Sequence, residues 1–126
     1  MSKAPPRLGR VQLQIMEVLW REGRATARRI TDELSRAKPI AHSTVQTLLR
    51  KLEAKGIITH DVEDRTFIFR PLYQPSDITA SATRDLLSRV FHGSVYGLVA
   101  HLLQNETISS EERQRLRQLI DEEGQP

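Results

Sequence analysis

A mainly α fold with a small β-hairpin is what this sequence predicts, and three observations carry the prediction. Apolar residues recur at helical spacing through three stretches before Gly56, the pattern then switches to that of extended chain, and helical spacing returns after Pro75. With 126 residues the chain has material for one modest core, or for a small core plus an extension that needs a partner, rather than for two independent domains.

The first stretch, LGRVQLQIMEVLWREG, repeats apolar residues at Val11, Ile15, Met16, Leu19 and Trp20 and closes at Gly23. The second, RATARRITDELSRAKP, offers Thr26 as an N-cap and Ala27, Ile30 and Leu34 as its inner positions; Pro39 ends it. The third, AHSTVQTLLRKLEAKG, sets Val45, Leu48, Leu49 and Leu52 in one angular sector and stops at Gly56. Beyond it, IITHDV and TFIFRPLY are rich in β-branched and aromatic residues and flank Glu63, Asp64 and Arg65, a polar set suited to a hairpin turn. A lone hairpin is marginal, and residues 25 to 27 can supply a short third strand. Three helices followed by a hairpin make a winged helix-turn-helix, expected over residues 1–75. Trp20 and the Phe67/Phe69 pair are expected in its core rather than as a stacking platform for single strands.

Residues 76–126 read as a second, helical domain. Leu86, Leu87, Val90 and Phe91 suggest one helix; after Gly93, Val95, Leu98, Val99, Leu102 and Leu103 suggest another. A last helix starts at SSEE, where Ser109 and Glu112 have capping-box spacing, and carries Leu116, Leu119 and Ile120 on one side. Three short helices bury such faces poorly alone. A second copy of the chain is the expected cover, with Leu87, Val90, Phe91, Val95, Leu98, Val99, Leu102, Leu116, Leu119 and Ile120 at the dimer interface; folding back onto the first domain is the alternative.

Charge is distributed unevenly. Residues 1–75 hold 14 Lys+Arg against 8 Asp+Glu, a net +6, while residues 76–126 hold 5 against 8, a net −3. A basic front suits a polyanion, although an excess of that size also occurs as ordinary surface variation. There is no cysteine, which removes disulfides, thiolate metal sites and thiol nucleophiles together and makes a reducing cytoplasm the expected location. The start lacks a signal-like apolar core and no apolar run approaches the eighteen or so residues of a membrane span, so no membrane insertion is expected.

Opposite its apolar stripe, the third helix carries Ser43, Gln46, Thr47 and Arg50, where an ordinary solvated face favours alternating Glu and Lys. A major groove admits an α-helix, and short hydroxyls, amides and Arg read its base edges, while Lys, Arg and helix N-termini hold phosphates. Gln46 suits an adenine edge, Arg50 guanine or a phosphate, and Thr47 a thymine methyl; Ser43 and Thr44 lie in the first turn, where phosphate or an early base is met. Lys51 and Lys55 sit to one side and suit the backbone. Arg28 and Arg29 are both backbone candidates by position, although either can equally pair with Asp32 or Glu33 on the same helix. Arg65 at the hairpin tip can enter a minor groove, against which Asp61, Glu63 and Asp64 make the wing less basic. Each residue singly is equally a solvated position; the group gains weight from lying on the correct helix of this unit.

Enzymatic readings fare poorly. His42, His60, His92 and His101 are scattered without metal-site spacing, Glu111 and Glu112 suit a helix N-terminus, and no phosphate loop or G-x-S-x-G occurs. The expectation is a non-enzyme with no metal and no cofactor. Two functions follow from the residues: a DNA-binding regulator, or a winged-helix module that binds another protein.

LGRVQLQIMEVLW, STVQTLLRKLEAKGII, a wing, SVYGLVAHLL and the SSEE-initiated last helix together resemble the penicillinase-repressor (BlaI/MecI/CopY) group of winged helix-turn-helix transcriptional regulators over nearly the whole chain. The resemblance implies a homodimeric repressor on an inverted-repeat DNA operator, interlocked through its C-terminal helices. In the β-lactamase branch it also implies control of β-lactam-response genes and a regulatory protease that ends repression by cutting the dimer domain. Four features depart from the group. The Cys clusters of copper-responsive members are missing, and His101-Leu102 stands where protease-sensitive members have Asn-Phe, making it the candidate cleavage position. Ala41-His42 replaces the Ser-Pro that often opens the reading helix, and Asp64 replaces a Gly before the wing Arg.

Overall fold

A computed structural model describes residues 7–123. In chain order these form α1 (Arg10–Glu22), β1 (Ala25–Thr26), α2 (Ala27–Ser35), α3 (His42–Ala54), β2 (Ile58–Glu63), β3 (Thr66–Pro71), α4 (Pro75–Phe91), α5 (Val95–Asn105) and α6 (Ser110–Glu123). The fold is mainly α with a small antiparallel sheet ordered β1-β3-β2. Two compact units divide inside α4, one running to Thr83 and the other from Arg84.

In the first unit, α1, α2 and α3 each turn one face inward. Ile15, Met16 and Leu19 of α1, Ile30 of α2, and Val45, Leu49 and Leu52 of α3 meet Ile57, Ile58 and Phe69 in one core. These are inner positions that helical periodicity selects, with Leu48, Ala27 and Leu34 packed at its edge. Gln12 and Val18 are buried as well, outside the expected stripe. Gln12 tolerates burial because its amide oxygen accepts from the Gly9 N–H at 3.0 Å. Trp20 lies against the core, its indole N–H donating to the Tyr73 carbonyl at 2.7 Å, so its polar end is satisfied.

Local chemistry sets the helix ends. The Thr26 hydroxyl accepts from the Arg29 N–H at 3.1 Å and starts α2 as a capping residue should. Gly56 ends α3 at φ +78°, with its N–H on Glu53 O and the Ile57 N–H on Leu52 O, both at 3.0 Å, the paired bonds of a Schellman motif. The chain thereby turns directly into β2.

β2 and β3 pair from Ile58↔Pro71 to Glu63↔Thr66, and β1 adds Ala25↔Phe69 and Thr26↔Ile68. Asp64 and Arg65, at φ +50° and +66°, form the two-residue link, the I′ pattern that matches strand twist. The expectation of a core Phe67/Phe69 pair holds for Phe69 alone. Both rings lie on one sheet face because side chains alternate with period two. The core ends at Phe69, and Phe67, one step nearer the tip, is 50% exposed.

Pro75, after which helical spacing is expected to return, is itself the first residue of α4, where its missing N–H costs nothing. Ser94 caps α5 through the Gly97 N–H at 2.9 Å, and Ser109 caps α6 through the Glu112 N–H at 3.1 Å. Between α4 and α5 the backbone turns by 90° through His92 and Gly93, both at positive φ. No residue of α4, α5 or α6 is buried. No single helix among the described residues is long and apolar enough to cross a membrane.

Candidate nucleic-acid interface

The core stripe of α3 dictates its other face. With Val45, Leu49 and Leu52 buried, the 3.6-residue turn leaves Ser43, Thr44, Gln46, Thr47, Arg50 and Lys51 exposed. Arg28 on α2 and Arg65 on the wing are exposed too. Arg28, Gln46, Arg50 and Arg65 border one cleft of about 470 Å³ between α2, α3 and the hairpin. Ser43, Thr44, Thr47 and Lys51 stay outside it on the same helix.

Hydrogen bonds narrow what each group can offer. The Thr47 hydroxyl donates to the Ser43 carbonyl at 3.0 Å and accepts from Arg50 Nη2 at 3.3 Å. Its proton is therefore spent, and its methyl is the part left for an apolar partner such as a thymine methyl. Arg50 gives one of its five N–H groups to Thr47, which steadies the guanidinium while the other four remain for bases or phosphate.

Arg28 and Arg29 separate cleanly. Arg29 binds Glu22 at 3.0 Å and Glu33 at 2.8 Å, whereas Arg28 has no ion pair among the described residues. Held chiefly by the hydrogen bond from Arg29, the Glu22 carboxyl lies below its ordinary range, and Glu22 in turn raises Arg29. Pairing with these two carboxylates thus occupies Arg29 and leaves Arg28 to the cleft.

The wing is less acidic in effect than its sequence suggests. Glu63 is bound by Arg24 at 2.6 Å and Asp61 by Arg70 at 3.2 Å, so only Asp64 lies beside Arg65 without such a partner among the described residues. The bond to Glu63 also raises Arg24. These pairings join residues far apart in the chain, or cross-strand neighbours whose register must be known.

Two histidines that carry no metal signal tie α3 into place. Thr31, buried on α2, donates its hydroxyl proton to the Ala27 carbonyl at 2.8 Å. His42 Nδ1 lies 2.9 Å from the same hydroxyl oxygen. A hydroxyl has one proton, so Nδ1 carries its own and donates it to Thr31. At the other end of α3, His60 Nδ1 meets both Glu53 carboxyl oxygens at 2.7 and 2.8 Å, and its ring stacks on Phe67 with centroids 3.9 Å apart. The helix is thus pinned to α2 at its start and to the wing at its end. Sequence reading missed both ties, since a histidine and its partner show no shared period. The N-cap of α3, Ala41, makes no side-chain bond, as its methyl dictates.

In the second unit the expected interface residues stay uncovered. Val90, Val95, Leu119 and Ile120 are more than half exposed, Val99 and Leu102 are exposed, and Leu87, Phe91, Leu98 and Leu116 are half-buried. Tyr96, absent from the expected set, is 84% exposed. His101 and Leu102 lie inside α5, where the His101 carbonyl accepts from Asn105 Nδ2 at 2.8 Å and the imidazole meets the Phe91 ring edge-on. Among the described residues, no cluster of three His, Cys, Asp or Glu is placed to hold a metal ion.

Comparison with known proteins agrees with this geometry. The model of the family described as Penicillinase repressor matches residues 8–122. A penicillinase repressor of Bacillus licheniformis is 29% identical over 120 residues, covering 95% of this chain and 94% of its own length. The methicillin resistance regulatory protein MecI of Staphylococcus aureus is 26% identical over 108 residues, covering 86% of this chain and 88% of its own. Among solved structures, the monomeric form of Bacillus licheniformis BlaI in complex with the blaP half-operator superposes with a TM-score of 0.51 at 31% identity, over 61% of this chain and 93% of that one.

Proposed function

The chain belongs to the penicillinase repressor family, whose members are transcriptional repressors rather than enzymes, and from that premise we propose that it acts as a homodimer on an inverted-repeat DNA operator. One observation carries the proposal: Arg28, Gln46, Arg50 and Arg65, from three separate elements, border one cleft beside the exposed face of α3. In this reading α3 enters a major groove. Gln46, Thr47 and Arg50 face base edges, Ser43 and Thr44 meet phosphate or an early base, Arg28 and Lys51 hold the backbone, and the wing Arg65 enters a minor groove between its flanking phosphates. Solvation alone accounts for one polar residue but not for three guanidiniums without a carboxylate on one cleft.

Dimerisation is supported by apolar surface without cover. Of the thirteen large hydrophobic side chains exposed among the described residues, nine lie in α4, α5 and α6. Surface of that kind is removed from water by a partner, and an identical chain is the partner always present. The dimer domain is taken as residues 76–126 and the DNA-binding domain as residues 1–75. Joining two reading heads raises affinity, because the second binds at a raised effective concentration. The relatives' names favour β-lactam-response genes as the controlled set. A regulatory protease acting at His101-Leu102 has to unwind α5 first, since that bond lies within the helix.

The experiment is to incubate the full chain with fragmented genomic DNA, recover what is retained at physiological salt, where non-specific binding is weak, and sequence it. An enriched inverted repeat with half-sites about one helical turn apart is the expected result. Retention without any shared sequence overturns the proposal and favours a protein-binding role for the winged helix.

A further inference from the structure

The cleft between α2, α3 and the wing holds more than phosphate recognition requires. Its polar rim carries Arg28, Arg50 and Arg65, one from each wall, with His42 beside them, and no acidic residue lines it. Among the described residues, Arg28 and Arg65 have no ion pair and Arg50 binds only the Thr47 hydroxyl. Three guanidiniums without a carboxylate form a strong anion site.

The floor is apolar. Leu49, Phe67 and Phe69 line it, and Phe67 is half exposed although a buried core lies one residue pair away. One face of the Phe67 ring is covered by His60, 3.9 Å away at an interplanar angle of 12°, and Phe69 meets it edge-on at 6.2 Å. Glu53 holds His60 in turn, so the Phe67 ring is fixed while half of the residue stays exposed at the cleft. A phosphodiester gains nothing from such a surface. A flat aromatic ring stacks on it, and a carboxylate attached to that ring reaches the guanidiniums, whose forked donors match carboxylate geometry. The volume of about 470 Å³ lies in the range of small-molecule sites.

We propose that this cleft binds a planar aromatic carboxylate, and that the ligand excludes DNA because it occupies Arg28, Arg50 and Arg65. The exclusion rests on the DNA-binding reading above; occupancy of the cleft does not. Binding of this kind ends repression without breaking the dimer.

The probe is 2-naphthoate, titrated into the full chain and followed by its own fluorescence, beside acetate and 2-naphthalenemethanol as its charged and apolar halves. Saturable binding at least tenfold tighter than either half is expected. Phe67→Ser should weaken it about tenfold while far-UV circular dichroism stays unchanged, because Phe67 is half exposed and lies outside the core. Naphthoate should release a DNA fragment recovered by the genomic selection from the parent chain, and about tenfold more should be needed to release it from the Phe67→Ser chain. Naphthoate binding no tighter than acetate, or equal in the two chains, overturns the site. Naphthoate bound with DNA retained overturns the exclusion alone. Failure of the ligand-free chain to bind any DNA sinks the repressor reading instead, and the titration then decides the cleft by itself.

Discussion

Replacing Arg65 by Gly should move stability and DNA binding in opposite directions. Arg65 sits at φ +66°, directly after Asp64 at φ +50°, so two successive side chains occupy a backbone region that costs an L-residue about 1 kcal/mol or more. The second position of an I′ turn is where Gly is preferred. Arg65 has no ion pair among the described residues and is exposed, so truncation removes no partner. Relief of strain is offset by the greater freedom of Gly in the unfolded chain, about 0.4–1 kcal/mol. The net gain lies between zero and about 1 kcal/mol, which raises Tm by no more than about 4–8 °C for a domain of this size. DNA binding should fall. With one phosphate fewer neutralised by each protomer, the log–log salt slope becomes shallower by about 0.9 each, or about 1.8 for a dimer. Calorimetry and salt-dependent anisotropy on one selected duplex measure both. A loss of stability above about 1 kcal/mol refutes the strain argument, and an unchanged salt slope refutes the role of the wing on phosphate.

Arg50→Ala should cost about 1–3 kcal/mol and relax preference at one base position, whereas Lys51→Ala should weaken all sequences alike; identical profiles in a binding selection would dissolve that division of roles. Thr31→Val removes the acceptor for the half-buried His42 N–H and should cost about 1–2 kcal/mol in urea unfolding, against near zero if that bond is idle. Ile120→Glu, at a site 62% exposed in the single chain, should leave helicity intact and convert the dimer to monomer in sedimentation velocity at micromolar concentration. A dimer that survives at the same strength places Ile120 outside the interface. For Glu22, folding lowers the carboxyl, so its stabilising share is present above the ordinary glutamate value of about 4.3 and is lost as pH falls through the lower folded value. The difference in urea midpoint between the native chain and Glu22→Gln should be constant from about pH 6 to 8 and shrink in acid; growth in acid contradicts the assigned cause.

Much of this molecule is legible in one dimension because the signals are local. The stripe Val45, Leu49 and Leu52 follows from a 3.6-residue period, Thr26 and Ser109 cap through atoms three residues away, and Gly56 ends α3 because it carries no side chain at positive φ. The polar character of the opposite face of α3 follows from the same period. The orphan character of the C-terminal helices is equally a matter of pattern, since three apolar faces appear with too little chain to cover them.

Tertiary structure alone decided what depends on distance in space. The chain does not say that Phe67 falls beyond the end of the core while Phe69 closes it, because alternation gives the face and not where packing stops. Nor does it say that Arg24 and Arg70 neutralise Glu63 and Asp61, since long-range pairing and strand register decide that. The proton on His42 Nδ1 is assigned only once Thr31 is seen to have spent its own on Ala27. Arg28, Gln46, Arg50 and Arg65 lie on three elements and share a cleft only after the core has drawn those elements together. Periodicity chooses which face of each element is buried; packing chooses which exposed faces end up side by side, and the candidate site lies where they do.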